Sequence, residues 1–379
     1  MSRFKPAREP ATVAETVRRG RPGALRTARN CLSAASFEGR PQGCPDGRRG
    51  LIAKALLLLL LGASVPAMAA SDGDLLFTLT DPRGDDTGDG TLVYPQREDM
   101  ERGDLDLLTV SAYAGEEGTE IEIRLGRKIR PPERKALDFT GTSAADLVRL
   151  GFYTFNIDIY IDTDRQPGSG ELAAMPGRNV EIDPASAWEK AILLTPRPQI
   201  LRSNLRRALI DHYREYGVPN QPDRQLPDDQ LRRLADEELK TKVFCVEQVH
   251  VAGNKLSFVI PTWFLGGLAR PDWSYVVAVS GAEIQQRFRI PFAASFTRQD
   301  TEGMILPVEA GRPDNAFGGG RPGDHLQPPL IDVLVPAGTT QHQVLTSYNR
   351  QTGTLARLPG VVPLNDPSVL QGMATNGRR

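Results

Sequence analysis

Residues 81–95 read DPRGDDTGDGTLVYP. Asp81, Asp85, Asp86 and Asp89, with Gly84, Gly88 and Gly90, put four carboxylates and three glycines within ten positions. Hard divalent cations need several oxygen ligands on a backbone that turns sharply, and an Asp/Gly loop supplies both. The spacing is not that of an EF-hand, because no Glu stands at the twelfth position. Two readings stand side by side. One is a calcium site, weak as extracellular calcium sites can be. The other is an Asp-rich turn whose side chains bond local amides. A second acidic loop, Asp162-Thr163-Asp164, runs into Pro167-Gly168-Ser169-Gly170 and reads as the solvated end of a hairpin.

The remaining chemistry lies in aromatic rings. A pyranose ring binds by lying on an exposed aromatic face, and Trp and Tyr add polar edges. The chain has three tryptophans, Trp188, Trp263 and Trp273. Trp188 lies in SAWEKAILL, after a Pro-containing turn, and Trp263 and Trp273 bracket the loop LGGLARPD. By local context each reads more readily as a packing residue than as a platform. Tyr94 and Tyr160 are weaker platforms, the latter on the polar side of its segment. The sequence contains no G-x-S-x-G, no H-E-x-x-H and no phosphate loop, and its four histidines are scattered. A glycosidase needs only two carboxylates at a suitable separation, so such a pair stays open on sequence alone. Of Cys31, Cys44 and Cys245, only the last lies in the body of the chain, in an apolar run that reads as a buried strand.

The elements that would position these residues are mostly strands. Phe152–Asp162 alternates strictly, with Tyr153, Phe155, Ile157, Ile159 and Ile161 on one face. Thr119–Leu125 alternates in the same way. Further strands are expected at Leu75–Thr80, Leu107–Tyr113, Val243–Val251, Leu256–Ile260, Tyr275–Ser280, Phe288–Pro291, Ile331–Val335 and Gln343–Tyr348. Gly, Pro, Asn and Asp clusters separate most of them, a pattern of sandwiches and barrels. One stretch differs: Leu201, Leu205, Leu209 and Tyr213 recur every fourth residue. Asp228 or Asp229 would cap a second helix through Leu231, Leu234 and Leu239. The expected fold is an all-β antiparallel sandwich with a helical insertion near 197–242.

Charge divides the chain. Residues 1–70 hold 12 basic and four acidic residues, leaving 34 basic and 43 acidic in 71–379, a formal charge of −9. An acidic body argues against nucleic acid as a partner. Residues 48–70 read RRGLIAKALLLLLLGASVPAMAA, a basic start, a Leu-rich core and a small-x-small end. That series is a signal peptide, assigned to 50–70, and predicts export to the periplasm or beyond with no transmembrane segment after cleavage. Residues 1–49, rich in Arg, Pro, Gly and Ala, read as a disordered or mis-assigned leader. The folded domain is expected over 71–370.

The acidic segment at 81–95, with GDLDL at 103–107, resembles the C-terminal module of glucodextranase and related amylopullulanases. IDIYIDTD at 157–164, PGRNV at 176–180, Trp188-Glu189, VIPTWFLGG at 259–267 and DWSYVVAVSG at 272–281 follow in family order. FGGG at 317–320 and PLIDVLVPAGTTQHQVL at 329–345 complete the series. The resemblance implies a DOMON-like β-sandwich, similar to family 9 carbohydrate-binding modules, with a non-catalytic role around polysaccharide degradation. It implies an α-glucan-type polysaccharide or envelope glycan as partner, alongside a separate glycoside hydrolase. Trp188, in a block shared with the family, is then the first sugar platform, with Trp273 and Tyr94 behind it. Asp81, Asp85, Asp86 and Asp89 are the expected calcium ligands. The family's Asn-Pro-Trp segment is replaced here by FTGTSAADLVRL, which removes any contact made there. Two rival classes remain: an envelope scaffold without glycan affinity, and a haem protein using Met304 and His250.

Overall fold

Period-two alternation becomes two facing sheets in the computed structural model, which describes residues 73–135, 143–218, 226–284, 304–311 and 313–363. The first sheet is antiparallel throughout. Its order is β1 (Leu75–Thr80), β2 (Leu107–Ala114), β3 (Gly118–Leu125), β9 (Lys255–Pro261) and β8 (His250–Ala252). The second runs β11 (Leu330–Val333), β10 (Ser274–Gly281), β4 (Phe155–Asp162), β6 (Lys190–Leu194) and β7 (Val243–Cys245). Its pairs are antiparallel except β6–β7, which is parallel. A small parallel pair joins β5 (Val180–Ile182) to β12 (Ala356–Leu358). The expected all-β sandwich is the architecture observed. The leader, the apolar stretch at 50–70 and the strand expected at Phe288–Pro291 lie outside the described residues.

The core between the sheets is what the alternation demanded. Phe77, Leu79, Val110, Ile121, Ile123, Leu256 and Phe258 from the first sheet meet Phe155, Ile157, Ile159, Ile161, Tyr275 and Val277 from the second. The outer face of the first sheet is polar: Thr78, Ser111, Glu122 and Ser257 lie in one row across it. The second sheet departs from the expectation. All eight residues of β4 are buried, including Asn156, Asp158, Tyr160 and Asp162 on the side expected to face water.

The helical insertion covers that side. It comprises α2 (Pro198–Tyr216) and α3 (Asp228–Lys242). Leu201 and Leu205 of α2 and Leu239 of α3 pack with Tyr160, Trp188 and Leu193. Full burial of each leucine stabilises by about 1.5–3 kcal/mol. Ile210, Tyr213, Leu231 and Ala235 hold the helices to each other. Asp228 and Asp229 sit in the first turn of α3, behind Pro227 as N-cap, so they complement the helix dipole instead of capping by side chain.

The short helices α1 (Ala144–Leu147) and α4 (Thr262–Leu265) interrupt the strands. The strand expected at Gln343–Tyr348 is a helix, α5 (Gln341–Leu345). Thr340 and Gln343 form a reciprocal capping box, a local signal stronger than the short apolar run that suggested a strand.

Candidate functional site

The structure divides the Asp-rich loop between two jobs. Asp86 and Asp89 hold the loop's shape. Asp86 accepts from the Tyr94 hydroxyl and the Gly103 amide, both at 2.5 Å. Asp89 accepts from the Thr91 amide and hydroxyl, at 3.0 and 2.6 Å, and from Gln327 Nε2 at 2.9 Å. These two behave as the capped-turn reading expects. Asp81 and Asp85 instead converge on Asp332, in the middle of β11; one carboxylate oxygen from each of the three lies within 4.8 Å of the others.

The pocket they form is built from distant chain. Asp81 directly follows edge strand β1, and Asp332 belongs to edge strand β11. Gly88 donates its amide to the Ile331 carbonyl at 2.9 Å. It adopts a φ of 60°, and a Cβ there would stand 2.7 Å from the Leu330 carbonyl oxygen, so only glycine lets the loop lie against β11. Gln341 of α5 ties the same parts together, donating to the Asp85, Gly88 and Ile331 carbonyls and accepting from the Val333 amide. A cleft of about 330 Å³, lined by Asp85, Thr87, Gly88, Gln341 and His342 among others, opens beside it.

The electrostatics are unbalanced. Asp332 is fully buried, and with the acids ionised its Oδ1, both oxygens of Asp81 and Oδ1 of Asp85 have no hydrogen-bond donor; only a protonated Asp332 donates to Asp81. The Leu107 amide donates to the other Asp332 oxygen at 2.6 Å. Among the described residues no ion pair reaches any of the three. Burial pushes the Asp81 carboxyl up to about 8, and the Asp85 charge adds to the effect. Asp332 is pushed up by burial first, then by the Asp81 and Asp85 charges. Asp85 is raised as well, chiefly by burial. Buried like charges of this kind ionise together only beside a counter-charge. The donor set fits a hard cation: calcium oxygens lie at about 2.3–2.6 Å, so opposite ligands are about 5 Å apart.

The other acidic loop is a turn. Asp162 accepts from the Arg165 amide, Asp164 from the Gln166 amide and Ser169 hydroxyl, and Glu189 from the Thr163 amide and hydroxyl. Asp158, expected on a solvated face, receives a bidentate pair from buried Arg178, at 2.6 and 3.0 Å. That contact gives the PGRNV block a structural role.

The rings chosen from sequence as sugar platforms all lie in the interior. Trp188 is 5% exposed, donates Nε1 to the Ala173 carbonyl at 3.0 Å and packs on Tyr160. Trp273 belongs to the core between the sheets. Tyr94 is buried, with its ring edge on Phe317 and its hydroxyl on Asp86. None offers a ring face to a sugar, because each sits where the insertion, the sheet interior or the Asp-rich loop closes over it. Among the described residues two large aromatic rings are well exposed, Tyr216 at the end of α2, at 63%, and Trp263, at 61%; Trp263 is the exposed tryptophan. It stands on α4, where Phe264 points into the core and Gly266 ends the helix in the left-handed region. Phe244 of β7 and Phe264 meet it edge-on, at 6.3 and 5.9 Å between ring centres. From sequence Trp263 reads more readily as a packing residue than as a platform; the signal for exposure is TWFLGG, one turn of helix that buries one aromatic and presents the other. The outer face of the first sheet bears no aromatic strip among the described residues, only half-buried Tyr113. Met304 packs on the outer side of the second sheet, whereas His250 is exposed on β8 of the first, so the pair suggested for haem is not brought together.

The fold is a two-sheet β-sandwich module with its candidate sites at the sheet edges. A family profile described as the C-terminal binding module, SLH-like, of glucodextranase matches residues 76–360, and the chain belongs to that family. No curated protein matches the chain significantly. Among the described residues no helix is long and apolar enough to cross a membrane.

Proposed function

We propose that this chain is an exported, calcium-stabilised module that binds an α-glucan-type polysaccharide without hydrolysing it. Family membership supports the carbohydrate-binding role. The observation that carries the site is the exposed indole of Trp263, backed edge-on by Phe244 and Phe264. A rigid, supported ring is what a pyranose stacks on, and a stack on one ring gives modest affinity, since sugars lose freedom and hydration on binding. Gly266 and Gly267 beside it leave open space, so a chain of sugar units meets no side chain there. Export is supported by the basic, apolar and small-residue series at 48–70. Calcium enters as a structural ion, consistent with the Asp-rich loop.

Affinity electrophoresis against starch, dextran and pullulan tests this reading. The wild type is expected to be retarded by at least one of them. Trp263→Ala is expected to abolish retardation with stability changed by less than about 0.5 kcal/mol, as for an exposed side chain. Retardation that survives Trp263→Ala rejects this platform. Reducing-sugar release by the wild type rejects the non-catalytic reading. The polar outer face of the first sheet favours a second reading, an envelope scaffold, and a stable wild type that no polysaccharide retards would select it.

A further inference from the structure

We propose that Asp81, Asp85 and Asp332 are the ligands of a calcium ion that clasps the two sheets together along one open edge of the sandwich. This rests on the calcium part of the functional reading and changes its ligand set. The sequence pointed to four aspartates of one loop; the structure keeps two of them and adds Asp332 from the other sheet.

Three observations carry the assignment. First, one oxygen from each carboxylate lies within 4.8 Å of the others, a spacing that a single ion with ligands at about 2.3–2.6 Å can span. Magnesium holds its ligands at about 2.0–2.1 Å in a stricter octahedron and keeps several waters, so it suits this mixed and buried set less well. Second, with the acids ionised, fully buried Asp332 has an oxygen that no donor satisfies, and both oxygens of Asp81 are in the same condition. An ionised buried carboxylate without a donor is strongly disfavoured unless a cation compensates it. Third, the surrounding chain is shaped to hold the loop in place. Gly88 lets it touch β11, and Gln341 spends both ends of its amide on the loop and the strand.

Topology gives the ion its role. β1 is the edge of the first sheet and β11 the edge of the second. Asp81 leaves the end of β1, Asp332 sits within β11, and Asp85 lies in the loop between them. An ion bound by all three fastens the two sheets where no strand pairing can. Without it, the three acids ionise together only against their mutual repulsion across the edge. The clasp therefore closes where calcium is plentiful, outside the cytoplasm, and stays loose where calcium is scarce.

The test uses the full chain after signal removal, calcium chloride as probe and magnesium chloride as comparison. Calorimetric titration is expected to show one calcium per chain, with magnesium at least tenfold weaker. Chelator should lower the melting temperature by several degrees, and calcium should slow amide exchange at 81–90 and 330–333. Asp332→Asn should weaken calcium binding at least tenfold and erase the melting shift, while Asp89→Asn retains both. Asp85→Asn, at a half-exposed position, repeats the test if Asp332→Asn fails to fold. Undiminished affinity in the folded Asp332→Asn or Asp85→Asn variant overturns the proposal. Loss of binding in Asp89→Asn with Asp332→Asn unaffected overturns this ligand set while leaving calcium in the functional reading. Absence of calcium binding by the wild type overturns both, and glycan retardation remains a separate measurement.

Discussion

Replacing Trp188 by alanine separates a core ring from a binding platform. The indole is 5% exposed and sits between Tyr160 of β4 and the helical insertion. A tryptophan buries about 150–250 Å². At about 25 cal/mol per Å² that is about 4–6 kcal/mol of transfer free energy, part of which alanine retains. Measured Phe and Trp truncations in cores cost about 3–5 kcal/mol. The lost Nε1 bond leaves the Ala173 carbonyl short of a donor, at about 1 kcal/mol. Trp188→Ala should therefore destabilise by about 4 kcal/mol. Equilibrium urea unfolding followed by far-ultraviolet circular dichroism measures this as a lower midpoint at unchanged slope. The folded variant should still be retarded by polysaccharide, because Trp188 has no exposed face to lose. A loss of less than about 1 kcal/mol, accompanied by loss of retardation, would refute the reasoning and restore Trp188 as the platform.

Two further expectations concern buried charge. Arg178→Met should cost about 3–5 kcal/mol in the same urea assay, since it strands the buried Asp158 carboxylate; the double variant Arg178→Met/Asp158→Asn should cost less than the sum of the single changes. Asp99 supplies an acid-sensitive term. Burial raises its carboxyl, but the hydrogen bonds from Arg97, at 2.7 and 2.6 Å, the Arg97 charge and a hydrogen bond from Tyr153 together outweigh it and leave it below its ordinary value. A depressed carboxylate stabilises fully above its unfolded value of about 3.9 and progressively less as pH falls through the folded value beneath it. The melting-temperature gap between wild type and Asp99→Asn should thus be widest near neutrality and close as pH falls below about 4.

Most of the sandwich was legible in the sequence because alternation is a local property. The runs at 75–80, 119–125 and 256–260 declare their inward faces without help from elsewhere. What escaped depends on other chain. β5 and β12 have three residues each, too short for a periodicity, and exist because they pair with each other. Asp158 and Tyr160 read as solvated until α2 and α3 cover them and Arg178 neutralises the acid. The Asp-rich loop announced oxygen ligands but not their partner. Asp332 falls inside the strand expected at Ile331–Val335, and only the juxtaposition of β1 and β11 gives it a role. The tryptophans were ranked by sequence neighbours, although exposure is decided by which layer closes over each ring.

The layer order explains why both sites lie at edges. Among the described residues, the insertion and the β5–β12 pair cover the outer face of the second sheet. The outer face of the first sheet is a row of hydroxyls and charges, with Lys255 paired to Glu122 at 2.9 Å, and among the described residues half-buried Tyr113 is its aromatic ring, not a strip. Edges remain. In both sheets the strand order starts at the β1/β11 side and finishes at the β8/β7 side. The acidic pocket occupies the first of these, between Asp81 after β1 and Asp332 on β11. Trp263 occupies the other, following β9 and touching Phe244 of β7. The two sites share no residue and no strand. A cation at one edge therefore acts on Trp263 only through the stability of the sandwich between them, and a sugar stacked on Trp263 leaves the carboxylates untouched. On the proposed reading, that separation would let the module hold its fold by an ion supplied by the surroundings while it presents Trp263 at the opposite edge.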